Sequence, residues 1–134
     1  MDDESPSSSG ALVLLLEDDP LIALSEKQDL EGLGYSILHA RTDRQALSLV
    51  SRNSGSIGLM LIDIDLGKGP DGISVATQLR KHTDCPIIFL TSRAEAEVAS
   101  RSEGLSRWGF ASKGRPMKLL DGRIRDALRG SGLR

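Results

Sequence analysis

The sequence predicts an α/β domain in which five strands alternate with five helices, the strands forming one parallel sheet with helices on both faces. Three observations carry this expectation. Short apolar runs recur along the chain with room for a helix between each and the next. Three of the runs are nearly continuous in Leu, Ile, Met and Val, as in strands covered on both faces. The segments between them carry helix-start signals and apolar residues at helical spacing. Composition agrees, since 134 residues with 39% hydrophobic and 27% charged suit one globular domain. Aromatic residues are only 3%, so the core must come from Leu, Ile, Val and Ala.

Residues Met1 to Gly10 (MDDESPSSSG) offer almost nothing to bury and read as a disordered leader. The acidic start is the opposite of a secretory signal, so a cytoplasmic location is expected. The first strand is ALVLLL, Ala11 to Leu16. As the longest apolar run, it falls far short of the roughly 20 residues that cross a bilayer, so no membrane role is expected. Asp19-Pro20 supplies an N-cap followed by proline at the first helical position. Behind it Ile22, Ala23, Leu30 and Leu33 share one arc, and Gly32 and Gly34 close the helix. Glu26 falls inside that arc and is expected to send its carboxylate outward on a long stem.

The second strand is YSILHA, Tyr35 to Ala40, followed by a capping box of Thr42 and Gln45 ahead of Ala46, Leu47 and Val50. The third strand, IGLMLIDI, spans Ile57 to Ile64; Asp71-Gly72 starts a helix marked by Ile73, Ala76 and Leu79. The fourth strand is PIIFLT, Pro86 to Thr91, and the helix after it, Ala94 to Glu103, has mainly small Ala residues and Val98 to bury. It should be the least firmly anchored. The fifth strand is WGFAS, Trp108 to Ser112, and Met117, Leu120, Ile124 and Leu128 make the cleanest stripe of the set. The domain thus spans 11–129, and 130–134 should fray. Alternation alone leaves the strand order open.

Ligands of an open parallel sheet bind beyond the carboxyl ends of its strands. The first strand ends in Glu17-Asp18-Asp19, the third in Asp63-Ile64-Asp65, the fourth in Thr91-Ser92 and the fifth in Lys113. Three carboxylates about 5 Å apart repel by roughly 3 kcal/mol per pair at an effective dielectric near 20. That total rivals the stability of a whole domain, roughly 5–15 kcal/mol. Protons or cations must therefore sit among them. Lys113 offsets one charge, and a hard divalent ion suits the rest. Mg²⁺ binds through few carboxylates and keeps positions for water and phosphate. A carboxylate so placed can act as a nucleophile towards phosphorus. Asp63 would attack, Glu17 and Asp18 would hold the metal, and Lys113 would neutralise a further phosphoryl oxygen. The Thr91 hydroxyl, with nothing comparable to bind beforehand, would report the phosphoryl group.

Other residues read more simply. Asp19 is an N-cap, Asp71-Gly72 a helix start, and Asp65 a turn residue ahead of Gly67. His39 and His82 are too far apart to suggest a zinc pair. Cys85, the single cysteine, excludes an internal disulfide. A net charge of −2 provides no basic field for nucleic acid.

The stretches LVLLLEDDP, LIDIDLGKGPDGI and PIIFLTS, with Lys113, resemble the receiver domain of bacterial two-component response regulators, a flavodoxin-like fold. The resemblance implies strand order 2-1-3-4-5, an order the handling of which in such folds places the site at the strand ends. It implies Asp63 as phosphoacceptor and Thr91 and Lys113 in their family roles. The implied Mg²⁺ set is Glu17, Asp18, Asp63 and the backbone carbonyl of Asp65. Phe110 falls on the aromatic switch position. The implied partners are a histidine kinase or histidine phosphotransfer protein and an unspecified downstream protein, in a stand-alone signalling domain rather than an enzyme. Two departures accompany it. Lys113 is followed by Gly114 where the family usually has proline, and Ser106-Arg107 replaces the usual Gly-Ala before Trp108. The first lends some weight to a phosphorylation-independent binding module. A haloacid-dehalogenase-like phosphatase, which also carries Asp-x-Asp after a strand, is a further alternative.

Overall fold

Each apolar run forms a strand, trimmed at its ends in four of the five cases. The computed structural model describes residues 11–53, 55–66, 70–114 and 116–134. The leader assigned to 1–10 lies outside the described residues. The strands are β1 (Leu12–Leu16), β2 (Ser36–Ala40), β3 (Leu59–Asp63), β4 (Ile87–Thr91) and β5 (Trp108–Ser112). All neighbours are parallel and the order is β2-β1-β3-β4-β5. The helices are α1 (Pro20–Gly32), α2 (Asp43–Arg52), α3 (Gly72–Leu79), α4 (Glu95–Arg101) and α5 (Met117–Leu128).

Alternation along the strands divides the core in two. Val13, Leu15, Leu59, Leu61, Ile88 and Leu90 pack with Leu30 of α1 and Leu120, Ile124 and Ala127 of α5. Leu14, Leu16, Met60, Ile62, Ile87 and Phe89 pack on the other face with Ala46 and Val50 of α2, Ile73, Ala76 and Leu79 of α3 and Val98 of α4. Both faces of β1, β3 and β4 are therefore covered, which is why those runs lack polar alternation.

Caps follow the side chains that announced them. Asp19 accepts from the N–H groups of Leu21 and Ile22 at 2.9 and 3.1 Å. Thr42 accepts from Gln45 N–H at 3.1 Å, and Asp71 from Ser74 N–H at 2.9 Å. Helix α4 has no side-chain cap and buries only Val98, the weak anchorage its composition implies.

Two expectations need correction. Glu26 does not reach outward, because its Oε1 is buried and has no hydrogen-bond partner. The residues after α5 do not fray. Arg134 and Trp108 exchange backbone hydrogen bonds at 2.7 and 3.2 Å, and Leu133 packs against the α1/α5 core. The Arg134 guanidinium lies 5.3 Å from the Trp108 ring centre and 3.2 Å from Glu95 of α4. An open sheet edge attracts an extended segment, and here this chain's own residues occupy it.

Arg80, at the end of α3, gathers the loops before β4 and β5. Its guanidinium donates to the carbonyls of Thr83, Cys85, Ser106 and Arg107 at 2.6–3.3 Å. Arg107 has φ +59°, a left-handed backbone that costs a non-glycine residue about 1 kcal/mol. Arg107→Gly is expected to leave stability unchanged or raise it by up to about 1 kcal/mol, read from the denaturation midpoint. A loss of stability would mean that the 2.8 Å bond from Arg107 Nε to the Asp84 carbonyl outweighs the strain.

Candidate functional site

The parallel order brings the carboxyl ends of β1, β3, β4 and β5 to one rim, and the polar residues that end them meet there. Asp63, the last residue of β3, is 1% exposed. Its Oδ1 accepts from Asp65 N–H at 3.1 Å and lies 2.9 Å from Lys113 Nζ. The loop that replaces the family's proline therefore does not take Lys113 out of reach. Gly114 has φ +82°, a left-handed turn that glycine adopts freely. Partial burial works against the Lys113 ammonium, but the hydrogen bond and charge of Asp63, with the charges of Glu17 and Glu26, outweigh it and raise its pKa.

Glu17 is 1% exposed. Its Oε2 accepts from Asp19 N–H at 3.1 Å, while Oε1 is buried without a partner. Burial, together with the adjacent Asp63, pushes its carboxyl up to about 8, against the pull of the Asp19 N–H and Lys113. His39 Nε2 lies 2.7 Å from the Glu17 carbonyl oxygen, so β2 braces the acid's backbone. Glu17, Asp18 and Asp63 each offer an oxygen within 4.8 Å of the others. Three converging carboxylates, one of them with a buried oxygen that has no partner, suit a hard divalent cation, so the residues present fit Mg²⁺. The side chain of Asp65 stands outside this group, exposed and paired with Arg93 at 3.0 Å.

Thr91, at the end of β4, is fully buried. Its hydroxyl oxygen accepts from Arg93 N–H at 3.0 Å, which leaves its own O–H proton for another acceptor. Arg93 was not singled out in the sequence, and no motif marks it. It joins Asp65 after β3 to Glu97 on α4, the latter at 2.6 Å, so the loop after Thr91 is tied to the rim of the site. Helix α4 is also joined to the α3 cap by the Arg101–Asp71 ion pair. Phe110 is 9% exposed and belongs to the core beneath α3 and α4. It also borders a cavity of about 190 Å³ with Glu95, Leu119 and Arg123. Cys85 is a half-buried free thiol.

A five-stranded 2-1-3-4-5 sheet carrying an acidic cluster and a lysine at its carboxyl rim defines the receiver class of signalling domain. The response regulator receiver domain model matches residues 13–125, and the chain belongs to that family. It is 37% identical over 84 residues to the phyllosphere-induced regulator PhyR of Methylorubrum extorquens, covering 62% of this chain and 31% of that protein. It is 27% identical over 122 residues to the sensor kinase CckA of Brucella abortus, covering 90% of this chain and 13% of that protein. The chain thus spans less than half the length of these curated relatives. Among solved structures, the N-terminal domain of a response regulator/sensory box/GGDEF 3-domain protein from Carboxydothermus hydrogenoformans superposes with TM-score 0.78 at 29% identity, over 88% of this chain and 94% of that one. A receiver protein from Sinorhizobium medicae gives 0.76 at 21% identity, over 90% and 95%, a likeness of fold. Among the described residues, no helix is long and apolar enough to cross a membrane.

Proposed function

We propose that this chain is a phosphoryl-accepting signalling domain in which Asp63 takes its phosphoryl group from a phosphohistidine of a histidine kinase or histidine phosphotransfer protein in the cytoplasm. The observation that carries the reading is the buried Asp63 carboxylate, held 2.9 Å from Lys113 and within 4.8 Å of oxygens from Glu17 and Asp18. An oxygen of Asp63 forms the new O–P bond as the donor's P–N bond breaks. The electron pair returns to the imidazole nitrogen, and a proton on the ring's other nitrogen lets the donor leave as neutral imidazole rather than as imidazolate. Glu17, Asp18, Asp63 and the Asp65 carbonyl would hold Mg²⁺, which when bound supplies charge neutralisation for the phosphoryl oxygens. Lys113 moves its hydrogen bond from Asp63 Oδ1 to a phosphoryl oxygen.

The product places close to two extra negative charges at the rim. The Thr91 O–H is then free to donate to them, and the new charge competes with Asp65 for Arg93. Helix α4, with only Val98 buried, is the element that follows, and the cavity beside Phe110 gives that ring somewhere to turn. Output is then a protein contact at the α4/β5 face, with no nucleic acid or membrane involved, and the domain is not a turnover enzyme. The phosphorylation-independent alternative draws no support from Lys113, which reaches Asp63.

Treatment with acetyl phosphate and Mg²⁺ should add one phosphoryl group by intact mass, and Asp63→Asn should add none. A wild-type protein that stays unmodified under conditions that modify a control receiver would overturn the reading. The donor protein has a ready contact surface, because Leu21, Ile22 and Leu24 of α1 are 77%, 44% and 52% exposed beside the pocket. Exposed apolar side chains grouped in this way mark protein contacts. Leu21→Asp should slow transfer from a phosphohistidine protein roughly tenfold and leave acetyl phosphate labelling unchanged. Equal slowing with both donors would count against α1 as the docking surface.

A further inference from the structure

Glu26 occupies a place that its chemistry does not suit. It lies between Ala23 and Leu30 on the buried stripe of α1, and its Oε1 has no hydrogen-bond partner. Leaving a buried carboxylate oxygen unpaired is costly, and an apolar residue would fill the stripe without that cost. The side chain lines a cavity of about 250 Å³ whose other lining includes Ile22, Leu90, Lys113, Met117 and Leu120. Lys113 is therefore the cation this carboxylate faces. Its ammonium is a compact charge on a flexible four-carbon stem, 32% exposed and, among the described residues, ion-paired to Asp63.

We propose that Glu26 is a positioning residue for Lys113: it offers the ammonium a second anchor across the cavity, in competition with Asp63, and so slows phosphoryl acceptance when it is ionised. The inference rests on the phosphoryl-acceptance reading above. Two stations for one lysine mean that its occupancy at Asp63, where it must stand to receive a phosphoryl oxygen, depends on the charge of Glu26. The charged groups facing Glu26 are Lys113 after β5, Asp63 from β3 and Asp29 on its own helix. Among the described residues, β4 and α5 contribute Leu90, Met117 and Leu120 to the cavity. Burial pushes the Glu26 carboxyl up to about 7, with Lys113 opposing and Asp63 and Asp29 adding. The competing anchor is then neutral in mildly acidic solution and charged in mildly alkaline solution.

Two measurements test this on the whole chain. With acetyl phosphate and saturating Mg²⁺, Glu26→Gln and Glu26→Leu should accept phosphoryl groups at the wild-type rate in mild acid. In mild alkali they should be roughly threefold to fivefold faster than wild type. Titrations of Glu17 or of the donor are common to all three proteins and leave that ratio unchanged. Without metal or donor, the titration midpoint of the Glu26 side-chain carboxyl carbon, followed by NMR, should rise when Lys113 is replaced in Lys113→Met. A rate ratio independent of pH, or slower variants in alkali, overturns the competition. An unmoved NMR midpoint overturns the pairing itself. If no protein in the series accepts a phosphoryl group, it is the functional reading that fails, and the NMR titration still decides whether Glu26 and Lys113 are paired.

Discussion

Gly72→Ala is expected to destabilise the domain by on the order of 3 kcal/mol or more and to slow phosphoryl acceptance at Asp63 by at least roughly tenfold. A Cβ at this position would stand 2.2 Å from the Asp63 carbonyl oxygen, 2.8 Å from Ile64 Cα and 2.9 Å from the Asp63 carbonyl carbon. All three are backbone atoms, so no side chain can rotate away. Either the first turn of α3 lifts off the end of β3, or β3 shifts beneath it. Lifting breaks the 3.0 Å bond from Gly72 N–H to the Ile64 carbonyl. Shifting moves the residue whose carboxylate is to react. Against a total stability of roughly 5–15 kcal/mol the loss would be plain in a denaturant titration. Gly122→Ala is the control: that position lies within α5 with nothing inside 4 Å, and alanine there should stabilise by up to about 1 kcal/mol. A Gly72→Ala protein within about 1 kcal/mol of wild type would show that the β3–α3 approach is not fixed.

The contrast between Gly72 and the acids shows what a sequence of this kind discloses. Strands and caps were legible because each depends on neighbours in the chain: β3 on an unbroken apolar run, α2 on Thr42 and Gln45. The acid cluster was legible because parallel topology sends every strand's carboxyl end to one rim, so residues far apart in the chain share an address. The sequence marks Gly72 as a helix start, which it is, but its approach to the Asp63 backbone depends on how closely α3 descends onto β3. Nothing local encodes that distance. Arg80 and Arg93 escaped notice for the same reason, since their partners lie on other loops. Glu26 did leave a trace, as a charge inside an apolar arc, and the snorkelling explanation assumed water where the fold has placed α5 and Lys113. The docking of the residues up to Arg134 is hidden in the sequence because Gly130 and Gly132 speak for loose chain, whereas the open edge of β5 that receives Arg134 exists only in the fold.

Without divalent metal, the stability of this domain should fall as pH rises from about 5 to about 8, by on the order of 4 kcal/mol from Glu17 alone. The sign follows from the raised carboxyl. Glu17 ionises at about 8 in the fold and near its ordinary value once unfolded. Between those two values the folded state therefore binds more protons, and each rise in pH favours unfolding. Below about 4.5 the acid is protonated in both states and contributes no slope. Glu26, held up at about 7, adds a fall of the same sign that ends earlier. Mg²⁺ should act on the first part only. A metal on Glu17, Asp18 and Asp63 keeps Glu17 ionised, so binding expels its proton and strengthens with pH. The gap between denaturation midpoints with Mg²⁺ and with a chelator should thus widen steadily from mild acid to mild alkali. Glu17→Gln should flatten most of the metal-free slope and remove most of the gap, while Glu26→Gln should flatten a smaller part and leave the gap intact. Stability that rises through this window without metal, or a gap independent of pH, would mean that the acids at the rim do not share protons as their burial implies.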